Sequence, residues 1–399
     1  MQRIGIYGGT FNPPHIGHMS ASAQAVSALR LDRLLLIPDR IAPHKEMPAD
    51  SASPQQRLEM LSIASKDIPR TEVSDMELRR QGKSYTYETI LQLRKQYPED
   101  ELILLMGTDM FLCFETWVHP EIILENASLG VFYRGEKDEV QAIQEKMQTM
   151  ERNGAKIELV KNEVLPISST DLRRMLVFGC ADAYLPQGVG EYIRGHGLYG
   201  TNRDYKKLSI EKLEQAATEL LKANRVNHVL GCRDAAAALA KRWGADETDA
   251  IRAALLHDIT KALPGRCQLT LCREYGKMLD AFSRENTKVL HALTGSLVAA
   301  RIFGENENVV QAICSHTTGR PDMGLLEKII YVADYIEPNR NFPGVAQLRD
   351  LAFFDLDGAV IRGLEMTFAL LQEQGSPVSP VGKATLDWLQ GKRKDERVC

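Results

Sequence analysis

Two groups of residues in this chain have the types and the spacing to do chemistry. The first opens it as Tyr7-Gly8-Gly9-Thr10-Phe11-Asn12-Pro13-Pro14-His15-Ile16-Gly17-His18. Gly8 and Gly9 let backbone approach a ligand closely. His15 and His18 stand three apart at the start of an Ala- and Ser-rich helical stretch, expected over about residues 16 to 30, so both can face one way. A helix N-terminus carries unpaired N–H groups and partial positive charge, so the string describes a phosphate seat with imidazole donors added. A lone His-x-x-His pair is more often a turn with two surface histidines; it is the whole string that carries the phosphate reading. A later stretch, Ile167-Ser168-Ser169-Thr170-Asp171-Leu172-Arg173, reads as a hydroxyl-capped helix start with a basic residue one turn in.

The second group lies beyond residue 200, where His228, His257, His291 and His316 are the only histidines. Asp258 follows His257 directly, and Asp334 comes later. A single histidine on an apolar face is usually a satisfied core residue. Six nitrogen and oxygen donors, each within or at the end of a helical pattern, suit a transition metal instead, with no cysteine required.

The elements that must position these residues change character along the chain. Strand-like runs at Arg3–Tyr7, Leu34–Pro38, Leu102–Met106, Leu129–Tyr133 and Lys156–Leu159 alternate with helical patterns up to about residue 200. That alternation predicts an α/β domain with a parallel sheet, and ligands of such sheets bind at the strands' carboxyl ends. Beyond residue 208 the periodic segments near 210–223, 226–242, 246–257, 286–302, 306–315, 325–335 and 356–372 are helical, which predicts an all-α second domain. Gly195-His196-Gly197-Leu198-Tyr199-Gly200-Thr201-Asn202-Arg203-Asp204 is rich in turn formers and places a linker near 200–206. The expected domains are therefore 1–200 and 207–399.

Composition narrows the function classes. At 399 residues, 44% hydrophobic and 26% charged, the chain fits two or three globular domains rather than disorder or a coiled coil. With 49 Lys plus Arg against 53 Asp plus Glu, the net charge of -4 argues against a general nucleic-acid surface. No apolar run approaches bilayer length, and the N-terminus lacks a signal peptide's apolar stretch, so no membrane partner is expected. The seven cysteines are odd in number and contain no Cys-x-x-Cys pair. They suggest neither a disulfide framework nor a thiolate zinc site, and a reducing cytoplasm fits best. A homo-oligomer is left open.

On its two motifs the first half resembles the nucleotidyltransferase superfamily marked by His-x-Gly-His, specifically the bacterial nicotinate-nucleotide adenylyltransferases, which have a Rossmann-like fold. The resemblance implies ATP held by Gly8, Gly9, Thr10, Phe11, His15, His18, Ile167, Ser168, Ser169, Thr170 and Arg173, with Mg2+ carried on the phosphates. It implies that His15, His18, Lys45 and Arg173 stabilise charge during transfer. It also implies a nicotinate-nucleotide pocket from Tyr85, Thr86, Asp109, Trp117 and Arg134. Position 12 is Asn where many members have Asp. No nucleophile paired with a base is visible, so direct in-line attack by the acceptor phosphate on the ATP α-phosphorus is expected.

The second half resembles HD-domain phosphohydrolases of the YqeK type, symmetrical diadenosine tetraphosphate hydrolases. The matching stretches are Arg225–His228, Leu256–Lys261, His291–Ser296, His316–Gly319 and Ile330–Pro338. The resemblance implies a one-metal minimum of His228, His257, Asp258 and Asp334, extended to two metals bridged by Asp258 when His291 and His316 are added. One or two transition-metal ions are expected, iron first among iron, manganese, cobalt and zinc. Lys261 is a catalytic candidate at the mouth, with Arg340 and Thr317 secondary. Alternatives are another nucleotide substrate or a regulatory nucleotide-sensing role for this half, and nicotinamide mononucleotide or phosphopantetheine as acceptor for the first.

Overall fold

The computed structural model describes residues 1–41, 47–48, 50–133, 137–162 and 167–398. The chain divides into two compact units, Met1–Arg203 and Asp204–Cys399. No described helix is long and apolar enough to cross a membrane.

The first unit is built on six strands, β1 (Arg3–Gly9), β2 (Arg33–Pro38), β3 (Thr71–Val73), β4 (Glu101–Gly107), β5 (Ser128–Tyr133) and β6 (Ile157–Lys161). They form one sheet in the order β3-β2-β1-β4-β5-β6. Every pairing is parallel, with Ile4 beside Arg33 on one side and Leu102 on the other. Both sheet faces are covered, so the strands are apolar throughout rather than alternating. Leu35, Ile37, Leu102, Leu104 and Met106 pack into one core cluster, while Leu34, Leu36, Ile103 and Leu105 pack into the other. The strand order reverses between β1 and β4, which leaves a crevice outside their carboxyl ends. The five expected strands are present, shifted by a residue or two at their ends. The short edge strand β3 is an addition, since three residues are too few to show a period.

The second unit contains no strand among its described residues, and the seven expected helical segments are found. The segment expected over 286–302 is in fact two helical stretches, Leu290–Val298 and a wider π-type turn over Ala299–Phe303. Helices at Gly265–Glu274, Val345–Phe354 and Pro380–Val398 were not anticipated. Helix starts follow the capping rule: Asp246 accepts from the Asp249 N–H at 2.8 Å, and Asn306 from the Val309 N–H at 3.1 Å.

Candidate functional sites

The crevice between β1 and β4 contains a cavity of about 460 Å³, lined by Tyr7, His15, His18, Thr108, Asp109 and Ile167 among others. Beyond β1 the chain turns through Thr10–Pro14 into the helix Ile16–Ala28, whose N-cap His15 lines the cavity with Gly17, His18 and Ala21. The His15 and His18 rings stack at 3.6 Å between centroids. His18 Nδ1 accepts the His15 backbone N–H at 3.2 Å, and the Phe11 ring meets the His18 ring edge-on. Burial pushes the His15 imidazole down to about 4, so it is neutral near pH 7 and offers a single N–H. Its Nδ1 is buried and makes no hydrogen bond. Tyr7 is pushed up to about 12, by burial first and then by the Asp109 carboxylate.

The two strings that open and close this unit meet in space. Ser168 caps the helix Ser169–Val177, its Oγ accepting from the Asp171 N–H at 3.0 Å. Ser169 Oγ donates to the Pro13 carbonyl at 3.1 Å, and Arg173 Nη1 donates to the Asn12 carbonyl at 2.7 Å. Arg173 Nη2 reaches Thr170 Oγ1 at 3.1 Å. Asn12 is buried and uses both ends of its amide: Oδ1 accepts from the Tyr199 hydroxyl at 2.7 Å, and Nδ2 donates to Ser51 Oγ at 3.0 Å. An amide suits that pair of partners, and the turn needs no negative charge there.

Of the other expected residues, Gly8 and Gly9 end β1, and Phe11 is packed in the core beneath the turn. Tyr85 and Thr86 stand at the start of the helix Thr86–Gln96. Trp117 packs on Phe114 with centroids 5.3 Å apart. Of the expected residues His15, His18, Asp109 and Ile167 line the cavity, while Gly8, Gly9, Thr10, Phe11, Tyr85, Thr86, Trp117, Ser168, Ser169, Thr170 and Arg173 do not. Lys45 and Arg134 lie outside the described residues. Sequence reasoning missed Arg57. This buried guanidinium donates to the Thr10 carbonyl at 2.7 Å, to Asp39 Oδ1 at 3.1 Å and to the Asp39 carbonyl at 2.6 Å, tying the turn to the end of β2. A buried arginine with only carbonyl and carboxylate partners is invisible without tertiary structure.

In the second unit all six expected donors converge. His228 sits on the helix Ala223–Trp243, and His257 and Asp258 follow the helix Glu247–Leu256. His291 is on Leu290–Val298, His316 follows Glu307–Ser315, and Asp334 is on Leu325–Ile336. His228 Nε2 stands 3.1 Å from Asp334 Oδ1, 3.4 Å from His257 Nε2 and 3.7 Å from Asp258 Oδ2. The other carboxylate oxygen, Asp258 Oδ1, faces His291 Nε2 at 3.4 Å and His316 Nε2 at 3.7 Å. His291 and His316 are themselves 3.2 Å apart, Nε2 to Nε2. Donors about 2.0–2.2 Å from one ion lie about 3.0–3.6 Å from each other, so these spacings are those of a coordination shell. Asp258 is fully buried, and its Oδ1 makes no hydrogen bond. A buried anionic oxygen facing imidazole nitrogens, with only the Lys261 ammonium 3.3 Å away, has room for a further cation, and the donor set fits a divalent metal.

The electrostatics agree. Burial pushes His257 to about 4 and His291 to about 3, so both rings are neutral and keep their Nε2 lone pairs. Burial would raise Asp258, but the facing imidazoles, His257 first, and the Lys261 ammonium hold it well below the usual carboxylate range. Asp334 is likewise held low against burial, by the His228 ring beside it first. Lys261 Nζ lies 3.3 Å from Asp258 Oδ1, Arg340 Nη2 lies 2.6 Å from Asp334 Oδ1, and Arg225 pairs with Asp258 Oδ2.

Cys232 and Arg225 are among the residues of this site that escaped sequence reasoning. Cys232, four residues after His228, brings Sγ to 3.5 Å from His228 Nε2 and joins His228, His257 and Asp334 in one donor group. The His-x-x-x-Cys spacing, one helical turn, was the available signal. Arg225 lay in a matching stretch without a role assigned to it.

Comparison with known proteins separates at the same place as the fold. The Cytidylyltransferase-like family model matches residues 6–175, and the HD domain model matches residues 225–339. A probable nicotinate-nucleotide adenylyltransferase of Lachnoclostridium phytofermentans is 35% identical over 200 residues, covering 50% of this chain and 100% of its own. A symmetrical bis(5'-nucleosyl)-tetraphosphatase of Halalkalibacterium halodurans is 42% identical over 175 residues, covering 44% of this chain and 93% of its own. A solved structure of a predicted HD superfamily hydrolase involved in NAD metabolism, from Clostridium acetobutylicum, is 36% identical with a TM-score of 0.45. It covers 46% of this chain and 98% of that one.

Proposed function

We propose two reactions for this enzyme, on the premise that the chain belongs to two families: the nicotinate-nucleotide adenylyltransferases over its first half, and the HD-domain symmetrical bis(5'-nucleosyl)-tetraphosphatases over its second. The proposed domains, residues 1–200 and 207–399, fall within the compact units Met1–Arg203 and Asp204–Cys399.

In the first reaction an oxygen of the nicotinate mononucleotide 5'-phosphate attacks the α-phosphorus of ATP. The bond to the β-phosphate bridge breaks, giving nicotinate adenine dinucleotide and pyrophosphate, with Mg2+ accompanying the triphosphate. The attacking oxyanion is already ionised at neutral pH, so alignment and charge stabilisation suffice and no strong base is needed. His15 and His18 donate N–H groups to the phosphates from the turn into the first helix, where unpaired backbone N–H groups add to them. Arg173, with Lys45, neutralises the departing pyrophosphate. Gly8, Gly9, Thr10, Phe11, Ile167, Ser168, Ser169 and Thr170 complete the ATP seat. Asp109, Tyr85, Thr86, Trp117 and Arg134 receive the acceptor nucleotide. The stitching of Ser169 to Pro13 and of Arg173 to Asn12 supports this reading, because it joins the two phosphate motifs to each other.

In the second reaction water splits diadenosine tetraphosphate symmetrically into two ADP. His228, His257, Asp258 and Asp334 would hold one ion, and His291, His316 and Asp258 a second, with iron the first choice. Such ions supply charge neutralisation at phosphate and a water of lowered pKa. Arg225, Lys261 and Arg340, now paired with the two aspartates, would turn toward the polyphosphate, with Thr317 a further candidate to meet it. The observation that carries this half is the buried Asp258 carboxylate with an imidazole pair on each oxygen. Both reactions use small nucleotides, which suits a cytoplasmic enzyme.

A product assay on the intact chain, with metal analysis, tests both. Nicotinate mononucleotide plus ATP should yield the dinucleotide and pyrophosphate, faster than nicotinamide mononucleotide does. Diadenosine tetraphosphate should yield ADP alone. Formation of ATP plus AMP, or no turnover with metal bound, would overturn the second assignment.

A further inference from the structure

To face the ions with Nε2, a neutral histidine must carry its proton on Nδ1, and something must accept that proton. Three of the four histidines solve this with the backbone three residues earlier. His257 Nδ1 meets the Ala254 carbonyl at 2.6 Å, His291 Nδ1 the Lys288 carbonyl at 2.8 Å, and His316 Nδ1 the Ile313 carbonyl at 2.7 Å. A carbonyl can only accept, so each pins its ring in the required tautomer.

His228 is different. It lies early in a long helix, and its Nδ1 faces Glu337 Oε1 at 3.1 Å. Glu337 is 1% exposed, just past the end of the helix that carries Asp334. Its second oxygen is held in place, accepting from the Asn339 backbone N–H at 2.7 Å and from Asn339 Nδ2 at 3.0 Å. The same Asn339 Nδ2 donates to the Asn227 carbonyl at 3.0 Å, which ties the carboxylate's support to the His228 helix. The His228 helix also makes room for it. A Cβ added at Gly231 would lie 2.5 Å from Glu337 Oε2, so only glycine admits the carboxylate at this distance.

We infer that Glu337 is the positioning residue of His228: it accepts the Nδ1 proton, orients the ring with Nε2 toward the donor cluster, and strengthens that nitrogen as a metal ligand, with Gly231 providing the space. The inference rests on the metal-dependent reading of this site. A carboxylate is a stronger acceptor than a carbonyl, and a carboxylate behind a ligating imidazole raises its basicity. Of the four rings, His228 is therefore the one whose ligand strength depends on a remote side chain.

The test measures Co2+ affinity of the intact chain, by competition with a chromophoric chelator and by the Co2+ d–d spectrum. Glu337→Gln should weaken Co2+ binding about 10- to 100-fold. Gly231→Ala, whose new methyl displaces the same carboxylate, should weaken it in the same direction. Because both substitutions act through one hydrogen bond, the double variant should be no weaker than the weaker-binding single. Urea unfolding of the metal-free proteins provides the control. A role confined to packing predicts lost metal-free stability with unchanged Co2+ affinity and spectrum, and that result overturns the inference. Fully additive losses overturn it as well. Should Glu337→Gln fail to fold, Gly231→Ala decides: the atom its methyl meets first is Glu337 Oε2 at 2.5 Å, with Asn339 Nδ2 at 3.1 Å and Pro338 Cδ at 3.3 Å behind it. A wild-type chain that binds no Co2+ overturns the metal reading itself, which is distinguishable from wild-type binding that Glu337→Gln leaves untouched.

Discussion

The two candidate sites solve opposite problems. The first is an open cavity at strand ends, lined by the ends of strands and the start of a helix, with His15 and His18 as its imidazoles. The second is a closed cage, six donors from five helical segments, in which His257, Asp258 and His316 are essentially unexposed. A nucleotide brings its own charge and bulk, so a site for it can be roomy and assembled from dipoles. A metal ion is small and demands donors within a few tenths of an ångström, so packed helices must hold its cage to that tolerance. The comparison teaches where each site is vulnerable: the first to loss of a donor at the rim, the second to loss of any member of the cage.

The largest expected effect breaks the second site alone. Asp258→Ala removes the carboxylate that both imidazole pairs share, so metal content and diadenosine tetraphosphate hydrolysis should fall below detection while adenylyl transfer continues. Metal analysis and the two product assays check it; retained metal with retained hydrolysis would show that the cage is not the active centre. Next is the first site. His18→Ala should slow adenylyl transfer about 10²- to 10³-fold, the effect of losing one charge-stabilising donor, with hydrolysis unchanged. Steady-state rates beside a thermal melt separate this from unfolding, and near-normal turnover would remove His18 from the mechanism.

The smallest effect concerns pH and sharpens the contrast in burial. His15 has a folded value near 4 against an unfolded value of about 6.5, so between these the unfolded chain binds more protons and stability rises with pH. The stabilisation is complete above about pH 6.5 and is lost as pH falls toward 4, at most about 3 kcal/mol. Urea unfolding near pH 7.5 and near pH 5 should therefore show a smaller pH dependence in His15→Asn than in wild type. Equal dependence would mean that His15 is not held neutral by burial.

Much of the architecture was legible in the residues. Long apolar strands buried on both faces and helices with clear periodicity announced themselves, as did the change of class near residue 200. Elements that escaped had physical reasons: β3 is three residues long, and Gly265–Glu274 opens with Gly-Arg and carries polar residues through its turns. At the sites, the histidines and aspartates stood out because their chemistry is rare in helical patterns. Arg57, Cys232 and Glu337 did not, because an arginine, a cysteine or a glutamate takes its meaning from its partner. Cys232 had a local partner one turn away, and Glu337 had one 109 positions distant.

What residue order alone determined was the inventory: two phosphate motifs, six metal donors, and the periodicities that make sheet and helix. These are local properties, carried by side-chain chemistry and by spacings of two or of three to four residues. Only tertiary structure decided that Asp258 turns one oxygen to each imidazole pair, that Asn12 is spent on Tyr199 and Ser51, and that His228 leans on Glu337 while its three counterparts lean on carbonyls. The reason is that such contacts join residues far apart in the chain, and their distances are set by how whole helices and strands pack, which no local pattern records.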